Sequence, residues 1–369
     1  MKKQLNRSIV VLAAGGTGGH IFPAQGLAEE LTSHNFEPFL ICDERSQDFL
    51  HHPFDQSNTQ VFKIDRFGGG VLKNLGKIFK LLITIFKIYR LLRKLNAQAV
   101  VGFGGYTTFP TIIAALLSGT AIYTHEQNAV IGRVNRIFLP FVKKVFLSFP
   151  QTRLIAKKYQ KKTVMVGNII RSSVLSILKS KIKKASKSIK ILIIGGSLGS
   201  KIITDIVPHA LARLGGSGQA IEVYQQARLD SIEEVSKIYQ DAKIKAEVKS
   251  FFDNIGELMI TADIVIARSG ASTIFELALA KKPAILVPLK IAIDNHQFYN
   301  AEFLREAGAA IVMTESEFTV EALEATLNSL LKGEGGRRQL AKMKAGYRDI
   351  DVPQNPAKKM VDIMSKSWK

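Results

Sequence analysis

Short apolar runs alternate with amphipathic segments along this chain, and the alternation occurs twice. Runs rich in Val, Ile, Leu and Ala predict buried parallel strands, and the spacing of apolar residues between them predicts amphipathic helices. The pattern therefore predicts the α/β class, with two doubly wound parallel sheets. The predicted strands are residues 8–14, 36–42, 99–102, 121–125 and 144–148, then 189–194, 221–225, 264–267 and 284–288.

The chain of 369 residues is about two and a half times the length of a ~150-residue domain, so two domains are expected. Parallel sheets of this kind bind ligands outside the carboxyl ends of their strands, so the facing edges of the two halves should form one cleft. The predicted helices are residues 23–33, 111–117, 204–214, 230–239, 272–280, 297–307 and 322–331, with a last helix after Pro356.

The predicted helix at residues 71–95 has a wide apolar face. Its polar stripe includes Lys73, Lys80, Lys87 and Lys94, which are spaced by seven. The apolar positions around that stripe are Leu75, Ile78, Phe79, Leu82, Ile85, Phe86, Tyr89 and Leu92. An apolar arc bordered by cations suits a helix that packs on its own domain and also enters the headgroup layer of a membrane. A helix buried wholly inside its domain is the alternative. The residues expected at the membrane are Leu75, Phe79, Leu82, Phe86, Lys80 and Lys87.

Composition adds a charge asymmetry to this picture. With 46% hydrophobic and 22% charged residues the chain is an ordinary core-forming protein, and its one cysteine, Cys42, allows no internal disulfide. The net charge is +20, and residues 127–204 contain seventeen Lys or Arg and no acid. This excess predicts a basic surface that faces a polyanion, either an anionic membrane or nucleic acid, with a solvated basic face as the alternative. No run of about eighteen uncharged apolar residues occurs, so no spanning helix is expected.

Three polar motifs follow predicted strands in the first half. Residues 14–20, AGGTGGH, come directly after the first strand. Glycines let backbone N–H groups approach an anion, and the helix that follows adds the positive end of its dipole. The motif predicts a diphosphate site, with His20 at its end as the candidate general base. The other two motifs are GFGGYTTFP at 102–110 and HEQN at 125–128, for which a purely structural turn is the alternative.

The second half repeats this arrangement. Residues 194–200, IGGSLGS, form another phosphate-type loop with a hydroxyl at Ser197. In residues 268–276, RSGASTIFE, Gly270 opens a helix whose first N–H groups suit a diphosphate, and Glu276 suits ribose hydroxyls. Residues 294–297, DNHQ, offer amide and imidazole groups to a sugar. The dinucleotide fingerprint, Walker A, HExxH and clustered Cys/His are all lacking, so neither a dehydrogenase nor a bound metal is expected.

Taken together, GGTGGH, GGY, HEQN, GGSLGS, RSGAST and NHQ resemble the motifs of the MurG family of peptidoglycan N-acetylglucosaminyltransferases, in glycosyltransferase family 28. The resemblance spans nearly the whole chain and implies the GT-B fold, in which two Rossmann-like domains face each other across a cleft. It implies an N-terminal domain at 1–168 that binds the acceptor lipid and the membrane, with a C-terminal helix at about 355–369 packed back on it. It also implies a UDP-GlcNAc-binding domain at 169–354.

The implied reaction moves GlcNAc from UDP-GlcNAc to the 4-hydroxyl of MurNAc in undecaprenyl-pyrophosphoryl-MurNAc-pentapeptide, with inversion and without a metal or other cofactor. This converts lipid I to lipid II in peptidoglycan synthesis. By resemblance, the enzyme is a peripheral protein on the cytoplasmic side of the bacterial inner membrane. The expected partners are UDP-GlcNAc, lipid I and an anionic membrane surface, and no nucleic acid.

The resemblance also implies roles for residues at matching positions. His20, Tyr106 and Glu126 are the implied catalytic residues, with His20 as base and the other two near the acceptor. Phe252 would contact uracil through its backbone, Glu276 the ribose and Gln297 the sugar. The full set of implied UDP-GlcNAc contacts is Thr17, Gly18, Gly19, Asn128, Arg171, Ser197, Phe252, Ala271, Ser272, Thr273, Ile274, Phe275, Glu276 and Gln297.

Two other classes of function stay open. Another GT-B enzyme, such as a diacylglycerol glycosyltransferase or a UDP-GlcNAc 2-epimerase, would share the fold. A nucleic-acid-binding protein would explain the charge, but it would not explain the paired phosphate loops, and the chain has no aromatic-interleaved basic motif.

Overall fold

The computed structural model describes residues 8–16, 18–49, 52–64, 71–170, 172–178, 188–196, 199–214 and 220–368. The chain divides into two compact units, one formed by Met1–Arg171 together with Pro353–Lys369 and the other by Ser172–Val352. The predicted boundaries, after residues 168 and 354, fall a few residues from those of the units.

The first unit is a seven-stranded sheet in the order β3-β2-β1-β4-β5-β6-β7, and all of its pairings are parallel. Helices cover both faces of this sheet. Its elements are β1 (Ile9–Ala13), α1 (Gly18–Ser33), β2 (Glu37–Asp43), β3 (Thr59–Phe62), α2 (Val71–Lys94), β4 (Ala99–Gly102), α3 (Gly105–Ser118), β5 (Ala121–Glu126), α4 (Arg133–Phe138), β6 (Lys144–Leu147) and β7 (Thr163–Met165).

The second unit is a six-stranded parallel sheet in the order β10-β9-β8-β11-β12-β13. The predicted α/β class, with two doubly wound parallel sheets, is therefore confirmed. The elements of this unit are α5 (Ser172–Leu178), β8 (Ile189–Ile194), α6 (Lys201–Leu214), β9 (Ile221–Gln226), α7 (Ile232–Asp241), β10 (Lys245–Lys249), α8 (Ile255–Thr261), β11 (Ile264–Ala267), α9 (Ala271–Ala280), β12 (Ala284–Leu286), α10 (His296–Glu306), β13 (Ala310–Val312), α11 (Val320–Leu331) and α12 (Gly333–Gly346).

The chain ends with α13 (Pro356–Lys366), which belongs to the first unit and packs against α1. Met360 and Met364 of this helix are fully buried in the core on the α1 side of the sheet. Beyond the helix, the ring of Trp368 meets that of Phe36 edge to face at 5.0 Å between centroids. The C-terminal segment thus completes the core of the first unit.

Two helices begin earlier than the sequence predicts. The helix predicted to start at residue 23 starts at Gly18, and the helix predicted to start at residue 111 starts at Gly105. Glycine and proline weaken the sequence signal for a helix, although proline is tolerated when the rest of the helix packs well. Gly19 and His20 therefore lie in the first turn of α1, and Tyr106 lies in the first turn of α3.

Among the described residues, no helix is both long and apolar enough to cross a membrane.

Candidate functional site

The site of the first unit lies at the point where the strand order reverses. Because β4 follows β1 in the sheet, the loops after these strands are neighbours, and they hold the first two glycine motifs. A Cβ added to Gly105 would lie 3.2 Å from the carbonyl oxygen of Gly15, so the two loops are in direct contact. Gly16, Gly104 and Gly105 have φ angles of 88°, 88° and 79°, a conformation that favours glycine.

His20 lies against the second of these loops. A Cβ on Gly104 would be 3.4 Å from Cε1 of His20, and a Cβ on Gly105 would be 3.4 Å from its Cδ2. The lack of side chains at both positions lets the imidazole lie close to the loop backbone. The candidate base is therefore at the junction of the two glycine loops.

Glu126, at the end of β5, is 2% exposed and accepts hydrogen bonds at both carboxylate oxygens. Its Oε1 accepts from the backbone N–H (3.1 Å) and the side-chain amide (3.3 Å) of Asn128. Its Oε2 accepts from the N–H of Gly132 (2.8 Å) and from Nδ2 of Asn135 (2.9 Å). Burial raises the pKa of Glu126, and these four donors act in the opposite direction. The contacts make Glu126 the residue that holds the loop after β5; its catalytic role stays a prediction.

His125 is fully buried beneath the same loop. Its Nδ1 accepts from Nε2 of Gln127 (3.1 Å), which leaves the proton on Nε2, within 3.4 Å of the carbonyl oxygen of Gly167. Burial, with a smaller contribution from the nearby His20, lowers the pKa of His125 to about 4, although the hydrogen bond to Gly167 acts in the opposite direction. His125 is therefore neutral near pH 7 and serves as a hydrogen-bonding link between two strand ends.

The other predicted residues of the first unit are placed around this junction. Gly18 and Gly19 are in the first turn of α1, where helix N–H groups have no intrahelical partner. Tyr106 is 43% exposed, and Asn128 is half-buried beside Glu126. Thr17 lies outside the described residues. Asn135, which bonds to Glu126 and lies 3.8 Å from the Cβ position of Gly104, was missed because its motif is a short helix with no glycine signal.

The second unit has its own strand-order reversal between β8 and β11, and both of the following loops are glycine motifs. After β8, Gly199 donates its N–H to the carbonyl of Gly196 (3.0 Å). A Cβ on Gly195 would lie 2.7 Å from the backbone N of Ser200, so only glycine fits there. Ser197 and Arg171 lie outside the described residues.

After β11, Gly270 caps α9 with extended backbone angles. The first-turn N–H groups of α9 are those that an anion can use. Ile274 and Phe275 are fully buried in the core, so they could reach a ligand only through their backbone. Ala271 is largely buried, whereas Ser272, Thr273 and Glu276 are only partly buried.

Two further predicted contacts are held in place by neighbouring groups. Gln297 accepts the N–H of Leu289 at its Oε1 (3.1 Å), which leaves its NH2 group as the donor for a ligand. Phe252 is 4% exposed, and its ring meets that of Tyr224 edge to face at 6.5 Å between centroids. Burial of the ring fits a contact through the backbone of Phe252.

The long helix α2 presents two apolar faces. Ile85, Ile88 and Leu92 are buried against the sheet. Phe79, Leu82 and Phe86 are 66%, 57% and 59% exposed. Lys80 and Lys87 are exposed on the same helix, and the side chain of Leu75 lies outside the described residues. The helix therefore packs on its own domain with one apolar face and leaves a second apolar face exposed, so it is not buried wholly inside the domain.

In the parts of the chain that the structure describes, no group of three or more His, Cys, Asp or Glu side chains could hold a metal ion.

Two family models match the chain. The Glycosyltransferase family 28 N-terminal domain matches residues 10–147, and the Glycosyltransferase family 28 C-terminal domain matches residues 190–354. The first match begins within β1 and runs to the end of β6, with both glycine loops, and the second begins within β8 and covers the remaining strands of the second unit.

Several known proteins match this chain over most of their length. A UDP-N-acetylglucosamine--N-acetylmuramyl-(pentapeptide) pyrophosphoryl-undecaprenol N-acetylglucosamine transferase of Caulobacter vibrioides is 36% identical over 360 residues, 97% of this chain and 99% of the relative. A protein of the same name from Rickettsia bellii is 36% identical over 328 residues, 87% and 90% of the two chains. The crystal structure of Acinetobacter baumannii MurG is 30% identical, with a TM-score of 0.77 over 97% of this chain and 99% of that one. A UDP-N-acetylglucosamine 2-epimerase structure, at 11% identity and a TM-score of 0.67 over 98% and 97%, shares the fold alone.

Proposed function

This chain belongs to glycosyltransferase family 28, and we propose that it transfers GlcNAc from UDP-GlcNAc to the 4-hydroxyl of MurNAc in undecaprenyl-pyrophosphoryl-MurNAc-pentapeptide. The family resemblance and the GT-B fold expected from the sequence are confirmed. The observation that carries the proposal is the 36% identity over 97% of the chain to a relative that is named for this reaction. The protein is a hexosyltransferase.

The acceptor half of the mechanism uses the first unit. The 4-hydroxyl oxygen of MurNAc attacks the anomeric carbon of GlcNAc while the bond to the UDP oxygen breaks on the opposite face, which inverts the linkage from α to β. His20 takes the hydroxyl proton during this attack. The junction of the two glycine loops supports this role, because the imidazole is fixed there beside backbone that can hold a polar acceptor.

The donor half of the mechanism uses the second unit. UDP leaves with an added negative charge, and the first-turn N–H groups of α9 and the loop after β8 can stabilise it as fixed donors. Glu276 accepts hydrogen bonds from the ribose hydroxyls, and the NH2 group of Gln297 donates to the sugar. We include Thr17, Arg171 and Ser197 in the donor site on their match to the family motifs. The reaction needs no metal in this scheme.

Incubation with UDP-GlcNAc and a short-chain lipid I analogue, with and without EDTA, tests the proposed function. We expect a disaccharide product in equal yield under both conditions. Diacylglycerol in place of lipid I, and UDP-GlcNAc without an acceptor, are the controls for the other GT-B activities. Product from diacylglycerol, epimerisation without acceptor, or loss of turnover in EDTA would each contradict the scheme.

Replacing Glu276 with glutamine is expected to weaken the binding of UDP-GlcNAc by about 10- to 100-fold, since hydrogen bonds to an ionised carboxylate contribute about 1.5–3 kcal/mol. The Kd is measured by calorimetry with UDP-GlcNAc and with free uracil as a fragment that lacks ribose. Glu334→Gln, at an exposed position on α12, is the matched control. An unchanged Kd for Glu276→Gln would rule out the ribose contact.

We also propose that α2 rests on the cytoplasmic face of an anionic membrane. Phe79, Leu82 and Phe86 are exposed apolar side chains on one helix face, and burial of each in a headgroup layer is favourable. Leu117 of α3, the helix that packs beside α2, is also 66% exposed. Lys80 and Lys87 add attraction of about 1 kcal/mol each to an anionic surface. A lipid-linked acceptor requires such a position, because its polyprenyl chain stays in the bilayer.

Combining Phe79→Ser, Leu82→Ser and Phe86→Ser is expected to lower the partition coefficient onto anionic vesicles by more than about 10-fold, because three apolar side chains lose their burial. Co-sedimentation with phosphatidylglycerol vesicles measures this. Ile291→Ser with Ile293→Ser is the matched control, because both side chains are exposed and apolar but belong to the second unit. If binding of the wild-type protein to vesicles changed neither with salt concentration nor with anionic lipid content, the membrane proposal would be contradicted.

A further inference from the structure

Arg45 follows β2, the strand beside β1, and its side chain lies next to both glycine loops of the first unit. Its Nε donates to Oδ2 of Asp43 (2.8 Å), and its Nη2 contacts the same oxygen. Its Cζ lies 6.0 Å from the ring centroid of Tyr106, at the start of α3. The side chain is 36% exposed, and within the described residues its Nη1 has no hydrogen-bond partner. Asp43 therefore orients Arg45, and the described part of the chain offers no acceptor to its Nη1 donors.

Asp43 keeps Arg45 in this orientation. Its side chain is 3% exposed. Burial acts to raise its pKa, but hydrogen bonds from Ser46, Arg45 and Gly16 together hold the pKa of Asp43 below its usual value. The carboxylate is therefore ionised and tied to three donors. An Arg that is held by a buried carboxylate loses little freedom when it binds a second anion through its remaining N–H groups.

The Asp43 carboxylate also determines which N–H groups of the first glycine loop are available to a ligand. The N–H of Gly16 donates to Oδ1 of Asp43 (3.0 Å) and to Oγ of Ser46 (2.9 Å), so this amide is directed into the protein. A glycine loop after a first strand ordinarily uses such N–H groups to hold phosphate. In this chain the Arg45 guanidinium lies nearby and can donate hydrogen bonds to a phosphate in place of the Gly16 N–H.

We propose that Arg45 is a diphosphate-binding residue of the acceptor side, positioned by Asp43 and Tyr106. The inference rests on the proposed function for the identity of the acceptor, whose polyprenyl diphosphate is the anion that Arg45 would contact. Two donors on Nη1 fit the oxygens of a phosphate, as guanidinium groups do elsewhere. UDP carries the same diphosphate chemistry, so an experiment has to separate the two sources.

The test measures the Kd of two probes by calorimetry, farnesyl diphosphate for the acceptor side and UDP for the donor side. Arg45→Ala is expected to raise the Kd of farnesyl diphosphate by about 10-fold or more and to leave that of UDP within about twofold. Arg45→Gln, which can still donate to Asp43, is expected to give the same loss. This second variant keeps the test valid if Arg45→Ala destabilises the unit. Arg338→Ala, at an exposed position on α12, is the matched control and should change neither constant.

Turnover gives an independent readout. With a short-chain lipid I analogue, Arg45→Gln should raise the KM for the acceptor by about the same factor while kcat changes little. A Kd for farnesyl diphosphate that stays within twofold in both variants would overturn the inference, as would an equal loss for UDP. Because the binding measurement needs no reaction, it remains decisive if the protein proves to transfer GlcNAc to another acceptor.

Discussion

Replacing His20 with alanine is expected to lower kcat by about 10²- to 10⁴-fold, the usual contribution of a general base, while the Kd of UDP-GlcNAc changes by less than about threefold. The acceptor hydroxyl would then have to lose its proton to water. Donor binding should persist because its implied contacts lie mostly in the second unit. Steady-state turnover with the lipid I analogue and calorimetry with UDP-GlcNAc measure the two quantities.

His34→Ala is the matched control, because His34 follows the C-terminal end of the same helix, about 20 Å along its axis from His20. It should leave kcat unchanged. Near-normal turnover of His20→Ala would remove His20 as the base. A parallel loss of kcat and of UDP-GlcNAc affinity would indicate that the imidazole shapes the loops and does not take the proton.

The strand ends could be predicted from the sequence because glycine motifs directly follow apolar runs. Four such motifs follow β1, β4, β8 and β11, which are the strands at the two points of order reversal. Parallel-sheet topology brings the carboxyl ends of neighbouring strands together, so sequence order and fold class already indicate which loops meet. This is why the fold class could be stated before the structure was known.

The groups behind those loops could not be predicted in the same way. Nothing in the sequence distinguishes Asp43 from any other residue at the end of a strand. Its contact with Gly16 joins positions that are 27 residues apart. Asn135 lies in a short helix and reaches back to Glu126 across nine positions. Such contacts depend on side-chain packing after the sheet has formed, which no periodicity in the sequence records.

Short edge strands were also missed. β3, β7, β10 and β13 are the edge strands of the two sheets and are three to five residues long. β10, with the sequence KAEVK, carries charges on its exposed face, which protects a sheet edge but removes the apolar run that identifies a strand. Central strands are buried on both faces and therefore give the stronger signal.

The periodicity of apolar residues also fails to distinguish the buried apolar face of α2 from the exposed one. The apolar arc predicted from the sequence included Ile85 and Leu92 together with Phe79 and Phe86, without separating them. The structure buries the first two and exposes the second two. Hydrophobicity alone cannot distinguish a side chain that meets the core from one that is left for a membrane, because both are apolar.

Replacing Glu126 with glutamine is expected to lower kcat by about 100-fold and to destabilise the first unit by about 1–3 kcal/mol. Glutamine keeps the shape of the side chain, but it places an NH2 group among four N–H donors that come from Asn128, Gly132 and Asn135. At least one of these buried groups would lose its acceptor. The loop after β5 would then shift, and Asn135 beside Gly104 would shift with it.

Two measurements separate this positioning role from direct catalysis. A residue that positions the loop should lower both the melting temperature and kcat in Glu126→Gln, and the shape of the pH–rate profile should be kept, because no proton passes through Glu126. A residue that takes part in proton transfer should instead lose one limb of that profile with little change in stability. Glu37→Gln, at an exposed position at the start of β2, is the control for the substitution itself. We expect the first pattern, because every hydrogen bond that the structure gives this carboxylate ties it to the loop after β5 or to α4, the helix that follows this loop.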